Sequence, residues 1–215
     1  MSPANELRPQ LAGLQIADPP ERWRALGFVV HEGNRIALGS VGVTLGGEGK
    51  GITGWTITGL DPAITSLDGL RTTPGARSQL EPPRPASVHP NGATGLDHVV
   101  IATPDFDRTA YVLQEADLPL RRILQAPGGF RQGFRRLGPA ILELVEVPQA
   151  PAGPARFWGL VVVVGDLDAL AQRLQPHLTD PKPAVQADRR IATLRDTANL
   201  SLKVAFMDLP PRTDA

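Results

Sequence analysis

Cysteine is absent from this 215-residue chain, which removes disulfides, thiolate nucleophiles and sulfur metal ligands from consideration. Any metal must then sit among nitrogen and oxygen donors. Net charge is lacking too: 22 basic and 22 acidic residues cancel, so no global positive field gathers nucleic acid or an anionic membrane. Lysine stands only at positions 50, 182 and 203. The arginine excess, together with 22 Pro and 22 Gly, reads as a coding bias rather than a binding adaptation. No apolar run approaches the ~20 residues that span a bilayer, and the longest, residues 160–164, suits a buried strand. The opening MSPANELRPQ has no basic segment followed by an apolar one. A cytoplasmic protein without membrane or nucleic-acid partners is expected, and at 41% apolar content it can bury a sizeable core.

What is present is a duplication. LDHVVIATPDFDRTAYVL at residues 96–113 returns without a gap as FWGLVVVVGDLDALAQRL at 157–174. Each copy runs an apolar strand into an acidic turn (Asp105 and Asp107; Asp166 and Asp168) and then into a helical pattern. Three strand-like runs follow in the first copy, at 120–125, 129–137 and 141–147, separated by Gly128-Gly129 and Gly138-Pro139 turns. In the second copy a weak strand near Val185, then 190–194 and 200–206, repeat the order. Both copies therefore predict β-α-β-β-β.

The N-terminal part echoes this in shorter form. A strand at 11–17 precedes the helix ERWRALGF, opened by Pro19-Pro20, and short strands are expected at 28–31, 35–39 and 41–45. Residues 52–58 look like the first strand of a further, truncated copy, running into a short helix that ends at Leu70. The domain expectation is a degenerate βαβββ-like unit at 1–71, a Pro/Gly-rich linker without regular structure at 72–94, and paired modules at 95–215, spanning 95–148 and 155–208. Gly46 to Gly51 lacks the G-x-x-x-x-G-K-[ST] order and is read as a hairpin loop. No nucleotide cofactor is expected.

Tandem βαβββ modules, with the DHV triplet at 97–99 in a first strand and the LEL triplet at 142–144 in a last strand, resemble the vicinal oxygen chelate superfamily. That group includes glyoxalase I, bleomycin-resistance proteins, methylmalonyl-CoA epimerase and extradiol dioxygenases. The resemblance implies an α+β fold in which paired modules form one curved mixed sheet around a cleft, with a degenerate N-terminal module beside it. It implies a glyoxalase-like enzyme (lyase, isomerase or dioxygenase) acting on a small molecule. A divalent metal (Zn, Fe, Mn or Ni) would be held by His98 and Glu143, with Glu143 also the catalytic group, and a homodimer is compatible with the fold. The alternative on the same fold is a metal-free ligand-binding or antibiotic-sequestering protein.

Departures from the family pattern are visible in the residues. Gly159 stands where His98 has its counterpart, and aligning Leu142 with Leu200 puts Ser201 opposite Glu143. Without a metal, His98 and Glu143 would serve a hydrogen-bonded pocket, or Glu143 would pair with an arginine, because a buried carboxylate needs some partner. Alternation in GFRQGFRRLGPA puts Gln132, Phe134 and Arg136 on one face and Arg131 and Arg135 on the other. Gln132, Arg136 and, in the second copy, Arg190 beside Arg189 are the candidate ligand-binding residues. A solvated arginine face is the competing reading. His31, His89 and His177 are expected at the surface. Trp23, Trp55 and Trp158 are expected in the core.

Overall fold

The computed structural model describes residues 8–75, 88–126 and 128–209. The duplication is physical. Strand β7 (Ala93–Thr103) leads to helix α2 (Phe106–Glu115), and β11 (Arg156–Val164) leads to α3 (Leu167–Arg173). The acidic turns are the helix caps: Asp105 Oδ1 accepts from the Arg108 N–H at 3.0 Å and Asp166 Oδ1 from the Ala169 N–H at 2.9 Å, each contributing about 1 kcal/mol. Strands β8 (Arg122–Gln125), β9 (Arg131–Leu137) and β10 (Ala140–Glu146) complete one module, and β12 (Lys182–Pro183), β13 (Arg190–Thr193) and β14 (Lys203–Asp208) complete the other.

Together these strands form one eight-stranded sheet in the order β12-β13-β14-β11-β7-β10-β9-β8. Each first strand lies parallel to the last strand of its own module, and the two first strands meet antiparallel at the centre. Alternation then sorts the side chains. Leu96, Val99, Ile101, Leu142, Leu144, Leu160, Val162 and Phe206 enter the main core on the helix-covered face, where each fully buried large side chain is worth roughly 1.5–3 kcal/mol. The opposite face carries the polar candidates. Among the described residues no helix is long and apolar enough to cross a membrane.

Of the three irregularities in the β11–β7 pairing, two lie at equivalent places of the repeat. In Leu96-Asp97-His98-Val99 and in Phe157-Trp158-Gly159-Leu160, the outer residues of each tetrad belong to the same core and two residues separate them. The extra residue breaks the alternation there, leaving Asp97 on β7 and Trp158 on β11 without a partner in the β7–β11 register. Trp158 is therefore 49% exposed, contrary to the core position expected for it. Trp23 and Trp55 are fully buried.

The N-terminal residues build the same plan in miniature. Strands β1 (Gln10–Ile16), β2 (Arg35–Leu38), β3 (Val41–Leu45), β4 (Ile52–Thr58), β5 (Ser66–Leu67) and β6 (Leu70–Gly75), with helix α1 (Pro20–Ala25), make a six-stranded sheet ordered β2-β3-β1-β4-β6-β5. Here too β1 is parallel to β3, β4 is parallel to β6, and β1 and β4 pair antiparallel at the centre.

Four local expectations are corrected. Residues 28–31 form no strand beyond a single His31–Arg35 bridge. The helix expected before Leu70 is instead a turn, with Asp61 Oδ1 accepting from the Ala63 N–H at 2.8 Å, followed by β5 and β6. An aspartate that binds its own backbone favours the turn over the helix. The segment from Gly46 to Gly51 is not a hairpin loop, because β3 and β4 lie on opposite sides of β1. Regular structure runs through Gly75 and resumes at Ala93, which shortens the stretch expected to be irregular from 72 to 94; residues 76–87 lie outside the described residues.

The two sheets share one core. Trp55 packs edge-on against Phe157 with centroids 5.3 Å apart, and Phe28 stacks on Phe206 at 6.2 Å. Asp68 accepts from Arg108 Nε at 3.0 Å and from Thr109 Oγ1 at 2.6 Å. His89, expected at the surface, is buried: its Nδ1 accepts from the Val29 N–H at 3.0 Å and its Nε2 donates to the Ala37 carbonyl at 2.8 Å. An imidazole that accepts at one nitrogen and donates at the other is a satisfied neutral tautomer.

Candidate functional site

Register places the polar candidates in adjoining rows of the open face. Across β11, β7, β10 and β9 one row reads Val161, His98, Ile141, Arg136, and the next reads Gly159, Val100, Glu143, Phe134. Gln132 lies one row further, opposite Val145, and its Nε2 donates to Glu143 Oε1 at 3.0 Å. The sequence pairing of His98 with Glu143 is thus realised on one face of neighbouring parallel strands. The Phe134 ring stands edge-on to the His98 ring at 6.5 Å.

Behind His98 lies a buried charge chain. His98 is 1% exposed and its Nδ1 lies 2.5 Å from Asp97 Oδ2. That approach is a close contact rather than a well-aligned hydrogen bond, and neither atom has another partner. Asp97 Oδ1 accepts from Arg189 Nη1 at 2.7 Å, while Arg189 Nε and Nη2 donate to the Asp208 carbonyl at 2.9 and 2.6 Å. On its outer side His98 Nε2 lies 3.4 Å from Gln186 Nε2. Burial pushes the Asp97 carboxyl up, but His98 and Arg189 outweigh it and hold the group below the ordinary aspartate value. For Glu143 the balance is opposite. Burial pushes its carboxyl up, Asp97 adds to the rise, and His98 only partly counters it.

A stability test follows from Glu143. Its folded-state pKa is raised, so the folded chain holds a proton the unfolded chain has already released, and wild-type stability falls as pH rises through that window. Glu143→Gln cannot titrate. Its stability relative to wild type should therefore improve between the ordinary glutamate value of 4.5 and neutrality, and be smallest in acid. Thermal melts of both proteins across pH 4 to 8, on the order of a few degrees apart at the upper end, check this. A gap that widens toward acid would contradict it.

The other candidates divide. Arg136 shares the face of Gln132 and is exposed. Arg190 does not reach the site: its Nε donates to Asp208 at 2.9 Å, and its Nη1 and Nη2 donate to Asp168 at 3.0 and 2.9 Å. Ile191 packs on the open face with Val161, Ala205 and Met207, so its neighbour Arg190 projects the other way, toward α3. Arg189 takes the inward role instead. Ser201 is corrected as well. Gly159 pairs with Lys203 as His98 pairs with Ile141, so Ala205 is the counterpart of Glu143. Ser201 lies before β14, where its Oγ accepts from the Gly51 N–H at 2.7 Å and its N–H donates to Asp18 at 2.8 Å.

The implied metal meets a poor donor set. Among the described residues no group of three or more His, Asp or Glu side chains converges to hold an ion. The partner module offers Gly159 and Ala205 where ligands would be needed. Two donors, one of them engaged by Gln132, fall short of the three protein ligands usual for open catalytic metals. These residues do not fit the family's metal.

Sequence reasoning missed Asp97, Gln186 and the exposure of Trp158, and named Arg189 only beside Arg190. The signal for two of them was available: core residues three apart in a strand announce a bulge that breaks the alternation between them.

No family model matches the chain, and no curated protein matches it. Solved structures do. A mutant of 4-hydroxymandelate synthase from Streptomyces coelicolor aligns over 96% of this chain and 94% of its own at 14% identity, with a TM-score of 0.65. Methylmalonyl-CoA epimerase from Mycobacterium tuberculosis aligns over 56% of this chain and 91% of its own at 22% identity and a TM-score of 0.47. A Streptomyces coelicolor methylmalonyl-CoA epimerase variant, in complex with 2-nitronate-propionyl-CoA, aligns over 54% and 94% at 16% identity and a TM-score of 0.45. These are vicinal oxygen chelate proteins. The chain has the vicinal oxygen chelate fold, with two mixed sheets dominated by strands.

Proposed function

We propose that the open face of the eight-stranded sheet binds a small oxygenated metabolite and moves a proton on it without a metal, an isomerase- or lyase-type reaction. The observation that carries this is the convergence of Glu143, Gln132 and the Asp97–His98 pair on adjoining rows of that face. A carboxylate pushed up by burial is a stronger base than an ordinary one and sits closer to working pH. Glu143 takes the proton from the carbon beside a carbonyl, the electron pair of that C–H bond forms the C=C bond of an enolate, and the negative charge collects on the carbonyl oxygen. His98 is placed to hold that oxygen. With Nδ1 turned to Asp97, Nε2 is the ring atom left to face the ligand, whose oxygen takes the place of the Gln186 amide. Return of the proton to the same face restores the substrate, whereas reprotonation of that carbon from solvent on its other face, with Glu143 giving up its proton to solvent, gives the epimer.

Solvent exchange tests the reading. Carbonyl-bearing metabolites incubated with the protein in D2O should gain deuterium at the adjacent carbon. The exchange should persist after treatment with a chelator, and Glu143→Gln should lower it by about 100-fold or more. Exchange unchanged in Glu143→Gln would sink the assignment. A second reading, a metal-free ligand-binding protein, is favoured by the apolar half of the same face, where Val161, Ala205 and Met207 pack with Ala184 and Ile191. Saturable ligand binding without exchange would select it.

A further inference from the structure

His98 belongs to the polar face of the sheet, yet it is 1% exposed, so in this conformation no ligand reaches the ring. Its outer cover comes from the other module. The turn between β12 and β13 brings Gln186 over the imidazole, with Gln186 Nε2 3.4 Å from His98 Nε2. Among the described residues this is the one hydrogen-bonding contact that Gln186 makes.

The turn has fixed ends and a loose middle. At one end Ala184 packs against Val161, Ala205 and Met207, and its N–H donates to the Arg189 carbonyl at 2.9 Å. At the other end the buried Arg189 guanidinium donates to Asp97 and to the Asp208 carbonyl. Between them, among the described residues, the backbone of residues 185–188 makes no hydrogen bond. Val185 is 84% exposed, and Asp188 reverses the chain in the left-handed region at φ 57°. A segment with so few bonds opens far more readily than the sheet beneath it.

We propose that residues 185–188 are a lid over this site, that Gln186 is its latch on His98, and that a ligand enters only when the turn swings off the ring about its anchored ends, Ala184 and Arg189. The Gln186 carboxamide then competes with the ligand for His98 Nε2, and apparent affinity is reduced by the fraction of molecules that stand open. The inference rests on the reading of this face as the ligand site, but its test follows access to a ring and needs neither ligand nor turnover.

Diethyl pyrocarbonate acylates accessible imidazoles, and the chain's four histidines supply their own references when each is followed by peptide mass spectrometry at one pH. His31 is exposed and sets the fast rate. His89, buried with both ring nitrogens engaged, sets the slow one. A minor open state populated at about 0.1–10% should make His98 react about 10- to 1,000-fold more slowly than His31, yet faster than His89. Gln186→Ala removes the latch, and Asp188→Val strains the turn without touching the ring; each should speed His98 by about tenfold. Asp188→Asn, which suits the left-handed region, should leave the wild-type rate. Circular dichroism melts and an unchanged His89 rate control for folding. His98 reacting as fast as His31 in the wild type would overturn the proposal. So would acceleration by Gln186→Ala alone, which would make Gln186 a fixed screen, and so would a rate that neither variant moves. Acceleration by both variants without hydrogen exchange on any carbonyl compound would uphold the lid and remove the catalytic reading instead.

Discussion

Gly159→Ala should cost about 3 kcal/mol of stability or more and move the urea midpoint accordingly. A Cβ built there lies 2.2 Å from the Lys203 carbonyl oxygen and 3.0 Å from its carbon. Both atoms are backbone, in the strand that pairs with β11 at that very residue. No side-chain rotation relieves the overlap. Relief requires β14 to move away from β11, which breaks ladder hydrogen bonds beside the centre of the eight-stranded sheet. Gly95→Ala is the control, since nothing lies within 4 Å of a Cβ at that position, and it should stay within about 0.5 kcal/mol of wild type. A Gly159→Ala protein that unfolds at the wild-type midpoint would show that the strands approach less closely. The same contact leaves no room at residue 159 for a counterpart of His98 while β14 lies this close.

Arg189→Met should cost about 3–5 kcal/mol at neutral pH. Arg189 and Asp97 are 9% and 12% exposed, so removing the guanidinium leaves a carboxylate in a poorly solvated place with only His98 for company. The Asp208 carbonyl loses two donors at the same time. The sign with pH is fixed by Asp97. Its folded pKa lies below the ordinary 3.8, so the stabilisation is present above that value and is lost as pH falls through the folded pKa. The gap between wild type and Arg189→Met should therefore be widest at neutrality and should close below pH ~4. Asp97→Asn added to Arg189→Met should recover part of the loss, because the unpaired charge is then gone. Guanidinium denaturation at several pH values measures all of this, and a gap independent of pH would mean that Arg189 acts by packing alone.

Much of the architecture was legible because it is written twice. The acidic turns of the repeat are helix caps at residues 105 and 166, and the apolar runs before them are the two central strands. Such signals are local: a cap needs its own next turn, and a buried strand needs only its own composition. The His98–Glu143 pairing was legible for a related reason, since alternation within each strand assigns a face without knowledge of the partner.

What failed in the sequence reading depended on other segments. The apolar pattern aligns Ser201 with Glu143, four residues short of the position that strand pairing gives. The register of a parallel pair, which puts Ala205 there, is settled by both strands together. Arg189 and Arg190 are adjacent and chemically identical. Which of them turns inward depends on where the strand begins, and the inward one finds Asp97 only because β7 and the segment before β13 meet in space. His89 looked like a surface residue until the N-terminal sheet closed over it with two backbone partners.

The chain by itself determined the order of its elements, the duplication, the caps and the face on which each strand's polar residues lie, because these follow from periodicities of a few residues. Only the tertiary structure decided which arginine neutralises Asp97, that Glu143 is paired with Gln132 rather than a cation, and that Trp158 is exposed. Each of those outcomes is set by register and close approach between segments far apart in sequence, where a shift of one residue reverses the side a side chain faces.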